Sequence, residues 1–547
     1  MQGTGGEILG AQLVREGVTD VFGVPGLQLD HALDGLAKQD RGLRFLTTRH
    51  EQGAAYMADG YARTSGRAGT FMVVPGPGAL NVGAALATAY ACSSPVVGIV
   101  GQLPRHALGR GLGLLHEIPD QTGFLRGLTK WHALARTVEE IPTLVNEAYS
   151  VALSGRPRPV AIEVPMDVLA ASGEADLCEP KRTKAGLRPA PEEVVGVAAR
   201  IRASRKPLIY VGRGVQASEA TGDLQRVAET LNAPVVMSRN GRGSLSDRHR
   251  LAFPAFAADA LLEEADLVLC VGTRFLTASG APRAAAPGHS VILVNIDSAD
   301  LGPPRKADMT VCADAKEFLK ALAGELSGAG TRYWESSTLD SVRDWCRRQI
   351  EAVTPQAEWV KALRAGIPDN GVLINDLTQV GYLAAAGYPV YEPDTFVTAG
   401  YQGTLGYAFP TGLGARLSRP ERMHVAVLGD GGFGWALQEL ATAKRYGIGL
   451  TTVVFNDDCF GNVKRIQETE FGNIIGADLT NPDFVALGEA FGISSLRIGD
   501  PGSLAGALNE LSGETAPTLI EVPVGAMPSP WHLLVDQLRP TRGVEGC

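Results

Sequence analysis

Short runs of apolar residues recur along this chain, each followed by an Ala-rich stretch whose apolar positions fall at helical spacing. In the first third the runs are Val21-Phe22-Gly23-Val24, Phe71-Met72-Val73-Val74, Val96-Val97-Gly98-Ile99-Val100 and Val160-Ala161-Ile162-Glu163-Val164. Runs of this length, apolar nearly throughout, predict strands covered on both faces, and the helical stretches between them predict parallel crossovers. The pattern repeats in the middle third with Pro207-Leu208-Ile209-Tyr210-Val211-Gly212, Ala233-Pro234-Val235-Val236, Leu267-Val268-Leu269-Cys270-Val271-Gly272 and Ile292-Leu293-Val294-Asn295-Ile296-Asp297. It returns in the last third with Val425-Ala426-Val427-Leu428 and with the run from Leu450 to Phe455. The fold expected is α/β, with three consecutive doubly wound parallel-sheet domains at 1–168, 192–328 and 357–530. The Pro- and charge-bearing stretch 169–191 and the polar, Gly-containing stretch 329–356 read as linkers. The segment 531–547 reads as a tail; whether it folds over a site or packs on the surface is left open.

The chain has 547 residues, too many for one core and in keeping with three. A net charge of −9, spread without basic clusters, argues against nucleic acid as the main partner. No run approaches the roughly twenty apolar residues that span a bilayer, and the N-terminus lacks a secretory pattern. The seven cysteines are scattered and form no CxxC pair, so neither a disulfide framework nor a zinc site is expected. A reduced, cytoplasmic protein is the expectation.

Two strands of the last third carry the chemistry. The first ends in Gly429-Asp430-Gly431, and the second ends in Asn456-Asp457. Magnesium demands near-octahedral oxygen coordination, met by one or two side chains together with substrate phosphates. A strand-end carboxylate, a Gly turn and a following helix N-terminus therefore suit a magnesium-bridged diphosphate. Far upstream, Arg49-His50-Glu51-Gln52-Gly53-Ala54-Ala55 opens a helix, where Glu51 taken alone reads as a helix-dipole residue. Gly212-Arg213-Gly214 also follows a strand. The position of a third Gly is Ala217 and no ribose-binding acid follows, so it reads as a tight turn and not a dinucleotide site.

Taken together in this order and spacing, these segments resemble the thiamine diphosphate-dependent enzymes, most strongly their acetolactate synthase-like branch. The resemblance extends over Phe22 to Gly26, Gly76 to Asn81, Arg126 to Lys130, Arg158 to Pro165, Gly403 to Pro410 and Asn481 to Phe484. It implies a pyrimidine-binding, a middle and a diphosphate-binding domain, in a homodimer or dimer of dimers with active sites at the interface. It implies thiamine diphosphate and Mg2+, with the metal held by the side chains of Asp430 and Asp457 and the backbone carbonyl of Cys459. Asp457 departs from the usual Asn, and Lys464 or Arg465 is expected to offset its charge. Carried over in the same way, Pro25, Gly26, Asn81, Gln379, Gly429, Gly431, Gly432, Phe460, Gly461, Asn462 and Val463 line the cofactor. The Gly403 carbonyl would accept from its exocyclic amine, and Leu405 would prop it into its bent shape. Glu51 would donate to a ring nitrogen of the aminopyrimidine, a task for a carboxyl that keeps its proton near neutrality.

Departures from the family narrow the substrate. Leu27 and Val74 stand where simple decarboxylases carry polar groups, and Ile466 stands where acetolactate synthases carry a Trp. No Gly-Met-His element occurs near Leu251 to Phe256, so FAD is not expected. The polar residues left to face the thiazolium are Gln28, His31, His116, Glu117 and Gln121. His31 reads more readily as a surface residue. His116, in a Gly- and Leu-rich loop, is the favoured substrate-side acid or base, with Gln121 as its catalytic companion and Gln28, His31, Glu117 and Ile466 lining the pocket. The expected reaction decarboxylates a small 2-oxo acid such as pyruvate and joins the remainder to a second carbonyl compound. Non-oxidative decarboxylation and cleavage of a 1,2-diketone remain open.

Overall fold

The protein is described by a computed structural model covering residues 1–39, 42–181, 186–277, 280, 281, 283, 289–328 and 334–535. Three six-stranded sheets, each parallel throughout, follow one another along the chain. The first runs Arg44–Thr47, Asp20–Gly23, Gly69–Val73, Val96–Gln102, Val160–Pro165, Trp131–Leu134 from edge to edge. The third runs Phe396–Thr398, Val372–Asn375, His424–Gly429, Thr451–Asn456, Thr518–Pro523, Ser494–Arg497. Numbered within each domain, both have the order 2-1-3-4-6-5, whereas the middle sheet has the order 3-2-1-4-5-6. The outer domains are thus two copies of one topology with no evident shared sequence. Their central strands are buried along their length, as the apolar runs require.

The outer domains share one core. The helix Glu51–Ser65 lies on the helix Ala408–Ser418, and Gly60 and Gly414 let the backbones meet: a Cβ on Gly60 would stand 1.9 Å from the Thr411 carbonyl oxygen, and one on Gly414 1.8 Å from that of Met57. Tyr56 and Tyr407 meet edge to face beside this contact, with ring centroids 5.5 Å apart. The middle domain buries its apolar residues in a cluster continuous with Trp359, Leu363 and Phe455 of the third. Its Gly212 and Gly214 sit against Gly272, with 2.3 Å from a Gly212 Cβ to the Gly272 carbonyl oxygen. Close backbone packing accounts for that Gly-Arg-Gly turn.

Two segments differ from their reading as linkers. Ser172–Glu174 pairs antiparallel with Gln2–Thr4, tying the start of 169–191 to the first domain. The stretch 329–356 contains a sixteen-residue helix, Ser336–Glu351, that buries Leu339 and Cys346. Dense charge on its outer face hides this apolar stripe in the sequence. Of the tail, residues 536–547 lie outside the described residues. Among the described residues, no helix is long and apolar enough to cross a membrane.

Candidate active site

The strand His424–Gly429 delivers Asp430 at its C-terminal end, and the adjacent strand Thr451–Asn456 delivers Asp457. Asp430 is 2 % exposed, and its Oδ2 accepts from Asn481 Nδ2 at 2.7 Å. The same Asn481 amide reaches Asn456 Oδ1 and Asp458 Oδ1, both at 3.0 Å, and so braces the two strand ends. Burial pushes the Asp430 carboxyl up; burial and the facing Asp430 charge push Asp457 up to about 6. No Lys or Arg forms an ion pair with either acid among the described residues. Lys464, expected to offset Asp457, pairs instead with Asp478 at 2.6 Å, and Arg465 donates to Asn462.

Two mutually repelling acids without a protein counter-charge suit a divalent cation, and the fit extends to the surroundings. A Cβ on Gly461 would lie 2.4 Å from Asp457 Oδ2, and one on Gly431 would lie 2.5 Å from the Phe460 ring, so both glycines are demanded by packing. Cys459 pairs with Asp478 in an isolated antiparallel bridge whose bonds run from Phe460 N to Ala477 O and from Leu479 N to Asp458 O. That pattern leaves the Cys459 carbonyl out of the bridge. Gln379 is buried with Oε1 lacking a partner among the described residues. No cluster of three or more His, Cys, Asp or Glu side chains forms a metal site among the described residues. The set is instead two carboxylates plus a carbonyl, as suits Mg2+ completed by phosphate oxygens and water. These residues fit a magnesium-bound diphosphate.

Close by, Gly403 has φ +56 and Leu405 is half-buried, with Thr404 between them bonded to Tyr56 Oη at 3.3 Å. Arg63 holds the ends of this loop, donating to the Thr398 carbonyl at 2.5 Å and to Tyr407 Oη at 2.6 Å. Asp376, buried and pushed up to about 6 by that burial, accepts from the amides of Leu377 and Ala408. The described part of the tail docks here: Trp531 donates to Asn462 Oδ1 at 2.7 Å and lies against Tyr382, so it packs over the helix that carries Asn462 and Val463.

The other half of the site belongs to the first domain. Glu51 begins its helix behind the N-cap His50, whose Nδ1 accepts from Gln52 N. Its Oε2 accepts from Asn81 Nδ2 at 2.8 Å, and a Cβ on Gly78 would lie 3.7 Å from its Oε1. Val74 packs against both Gly26 and Gly78. Gly76, at φ +59, has its amide bound by Gln121 Oε1 at 2.8 Å, and the His116 backbone seals it from the other side. Gln121 gives its own donors to the Gly101 carbonyl and to buried Glu163, so its amide serves the turn. His116 adopts φ +69, and its Nδ1 is buried without a partner among the described residues. Glu117 accepts from the amides of Leu112 and Leu114 and organises the same loop. Gln28 is buried and donates to the Leu115 carbonyl, whereas His31 and Ile466 are exposed, as is Pro25.

The residues expected at the site therefore fall into two constellations, one around Asp430 and one around Glu51. Among the described residues no hydrogen bond joins Glu51 or Asn81 to Asp430 or Asp457 within the chain. A cleft of about 1840 Å³ opens between the domains; Gly403, Asp376 and Trp531 reach it, and neither Glu51 nor Asp430 lines it. Asn481, Arg63, Asp376 and Glu439 are site-shaping residues that no motif assigned a role. Asn481 carried a signal as part of Asn481-Pro482-Asp483-Phe484, and Arg63 as part of Gly60-Tyr61-Ala62-Arg63, which continues the Glu51 segment of the resemblance.

Three family models match the chain. The thiamine pyrophosphate enzyme N-terminal TPP binding domain matches residues 3–124, the central domain residues 194–322 and the C-terminal TPP binding domain residues 376–522. Among curated proteins, a probable 2-ketoarginine decarboxylase of Pseudomonas aeruginosa is 33% identical over 95% of this chain and 94% of its own length. A probable acetolactate synthase large subunit of Methanocaldococcus jannaschii is 32% identical over 98% of this chain and 95% of its own. The acetolactate synthase isozyme 1 large subunit of Escherichia coli is 30% identical over 96% and 94%.

Proposed function

This chain belongs to the thiamine pyrophosphate enzyme family, and we propose that it is a thiamine diphosphate- and Mg2+-dependent carboligase acting on a small 2-oxo acid. The observation that carries the cofactor reading is the Asp430–Asp457 pair. Two carboxylates at strand ends that Asn481 braces through Asp430 and Asn456, with no cationic partner among the described residues, call for a bridging metal. Asp430, Asp457 and the Cys459 carbonyl would hold Mg2+ beside the Gly431 and Gly461 turns, where the diphosphate would lie. Leu405 and the Gly403 carbonyl would seat the ring system.

The chemistry that bound thiamine diphosphate supplies is an electron sink, which lets the bond between the carbonyl carbon of a 2-oxo acid and its carboxylate break with release of carbon dioxide. The chain supplies the proton handling. Glu51 would present its carboxyl to the aminopyrimidine, and Asn81 fixes the orientation of that carboxyl. His116, on the loop sealed by Gln28 and Glu117, is positioned as the substrate-side acid or base. In this reading Glu51 of one subunit serves cofactor held by its partner, which accounts for the two constellations staying apart in one chain.

Release of the aldehyde, without joining it to a second carbonyl, is the competing reading. It is favoured by Ile466 in place of the acceptor-shaping Trp and by the similarity to a probable 2-ketoarginine decarboxylase. Incubation with thiamine diphosphate, Mg2+ and a panel of 2-oxo acids, with and without aldehyde or ketone acceptors, separates the two by NMR. Carbon dioxide with a new hydroxyketone supports the carboligase; carbon dioxide with free aldehyde moves the protein to the decarboxylases. No turnover while cofactor is demonstrably bound would overturn both.

A further inference from the structure

Glu439 lies in the third domain, at the end of the turn Leu437–Glu439 that follows the short helix Asp430–Gly434. Its side chain leaves that domain's metal-binding segment and enters the first domain. It is fully buried, yet its partners there are backbone amides nearly four hundred residues away. Oε1 accepts from the amides of Arg49 and His50, each at 3.0 Å, and Oε2 from Arg49 N at 3.1 Å. Thr442 Oγ1 donates to Oε2 at 2.5 Å. Arg49 and His50 immediately precede Glu51, so the carboxylate grips the turn from which that helix starts.

A carboxylate placed there is favoured twice. It satisfies donors ahead of the first helical turn, and it complements the positive end of the helix dipole. The close approach also gives Gly53 a reason to be glycine: a Cβ at Gly53 would lie 2.6 Å from Glu439 Oε1. Buried charged acceptors of this kind are costly unless fully bonded, so their geometry is narrow.

We propose that Glu439 is a positioning residue that sets the direction of Glu51 through the Arg49–His50 amides. The inference rests on the reading of Glu51 as the cofactor-activating carboxyl. The Glu439 carboxylate bonds the Arg49 and His50 amides and Thr442, and it acts on the turn.

The test follows exchange of the thiazolium C2 proton of bound thiamine diphosphate for deuterium by NMR, with cofactor affinity measured by calorimetry in Mg2+. Full-length native protein, Glu439→Gln, Gly53→Ala and Glu51→Gln are compared. Glu439→Gln is expected to slow exchange roughly ten- to a hundredfold, the loss tied to one charge-assisted hydrogen bond. Its cofactor dissociation constant is expected to move by less than about threefold, as for a residue remote from the ligand. A native exchange rate in Glu439→Gln, with exchange lost in Glu51→Gln, overturns the proposal. An equal loss of affinity and exchange also overturns it, because that marks a collapsed site. A native exchange rate in Glu51→Gln marks instead failure of the underlying reading. Should Glu439→Gln fold poorly, Gly53→Ala, which crowds the same carboxylate, carries the same expectations.

Discussion

Asn81 donates through Nδ2 to Glu51 Oε2 at 2.8 Å, joining the end of the Gly76–Asn81 segment to the first residue of the helix Glu51–Ser65. An amide N–H meets an unprotonated oxygen, so this bond directs any proton on Glu51 to Oε1, the oxygen nearest Gly78. Asn81→Ala is expected to lower kcat by roughly two- to tenfold, the effect of about 0.5–1.5 kcal/mol for a hydrogen bond between neutral groups. Glu51→Gln is expected to lose more, with the same fold and the same cofactor affinity. Steady-state kinetics beside calorimetry check both. A kcat for Asn81→Ala equal to the native value would remove Asn81 from the machinery.

Asp430 and Asp457 repel each other without a protein counter-charge, so their substitution has opposite effects on binding and on stability. Asp430→Ala is expected to abolish magnesium-dependent binding of thiamine diphosphate in calorimetric titration. Asp457→Asn removes one of two repelling charges. The metal-free protein is therefore expected to melt higher than native, while its affinity for Mg2+ falls. A lower Tm for metal-free Asp457→Asn would show that Asp457 is bonded more favourably than its partners indicate.

The central strands were legible because both of their faces are covered, which leaves near-continuous apolar runs in the chain. Arg44–Thr47 and Trp131–Leu134 were not, because as edge strands they are only partly buried and carry mixed side chains. Asp430 could be found because a strand-end carboxylate beside glycines has a local pattern. Glu439 had none: a buried charge is recognised by its partners, and the Arg49 and His50 amides that bind it lie in another domain. The same limit explains Lys464, whose nearness in sequence to Asp457 pointed to a pairing that Asp478 takes instead.

Arg63 stands at the far end of the helix that begins with Glu51 and holds the ends of the loop bearing Gly403 and Leu405. It is 2 % exposed, with Asp59 at 4.0 Å as its nearest acid. Arg63→Met takes the nearer of two cations, Arg63 and Arg213, from buried Asp59, which costs up to about 3–5 kcal/mol. Arg63→Lys is expected to recover only part of this, since an ammonium does not reproduce the planar fork. Thermal unfolding is expected to show a large loss for Met and a smaller one for Lys. Calorimetry is expected to show weaker thiamine diphosphate binding in both, as the loop loosens. Unaltered affinity in a folded Lys variant would separate the loop from the cofactor.

His424 opens the strand that ends at Asp430, and it is fully buried with Nδ1 against the Arg422 carbonyl and Nε2 lacking a partner among the described residues. Burial pushes it down to about 3, because the imidazolium would have neither water nor a counter-charge. The folded-state value thus lies below the ordinary value of about 6.5, so between these limits the unfolded chain binds the extra proton. Stability from this residue is complete above about pH 6.5 and falls with acidification by up to roughly 1.4 kcal/mol per pH unit, until the folded form itself titrates. His424→Gln removes the titration while keeping a polar side chain. Chemical denaturation at pH 7.5 and pH 5 is expected to show the variant gaining on the native protein as pH falls, whatever its stability at pH 7.5. A stability difference independent of pH over that range would mean that His424 takes up its proton within the fold, and that the strand supporting Asp430 opens to water.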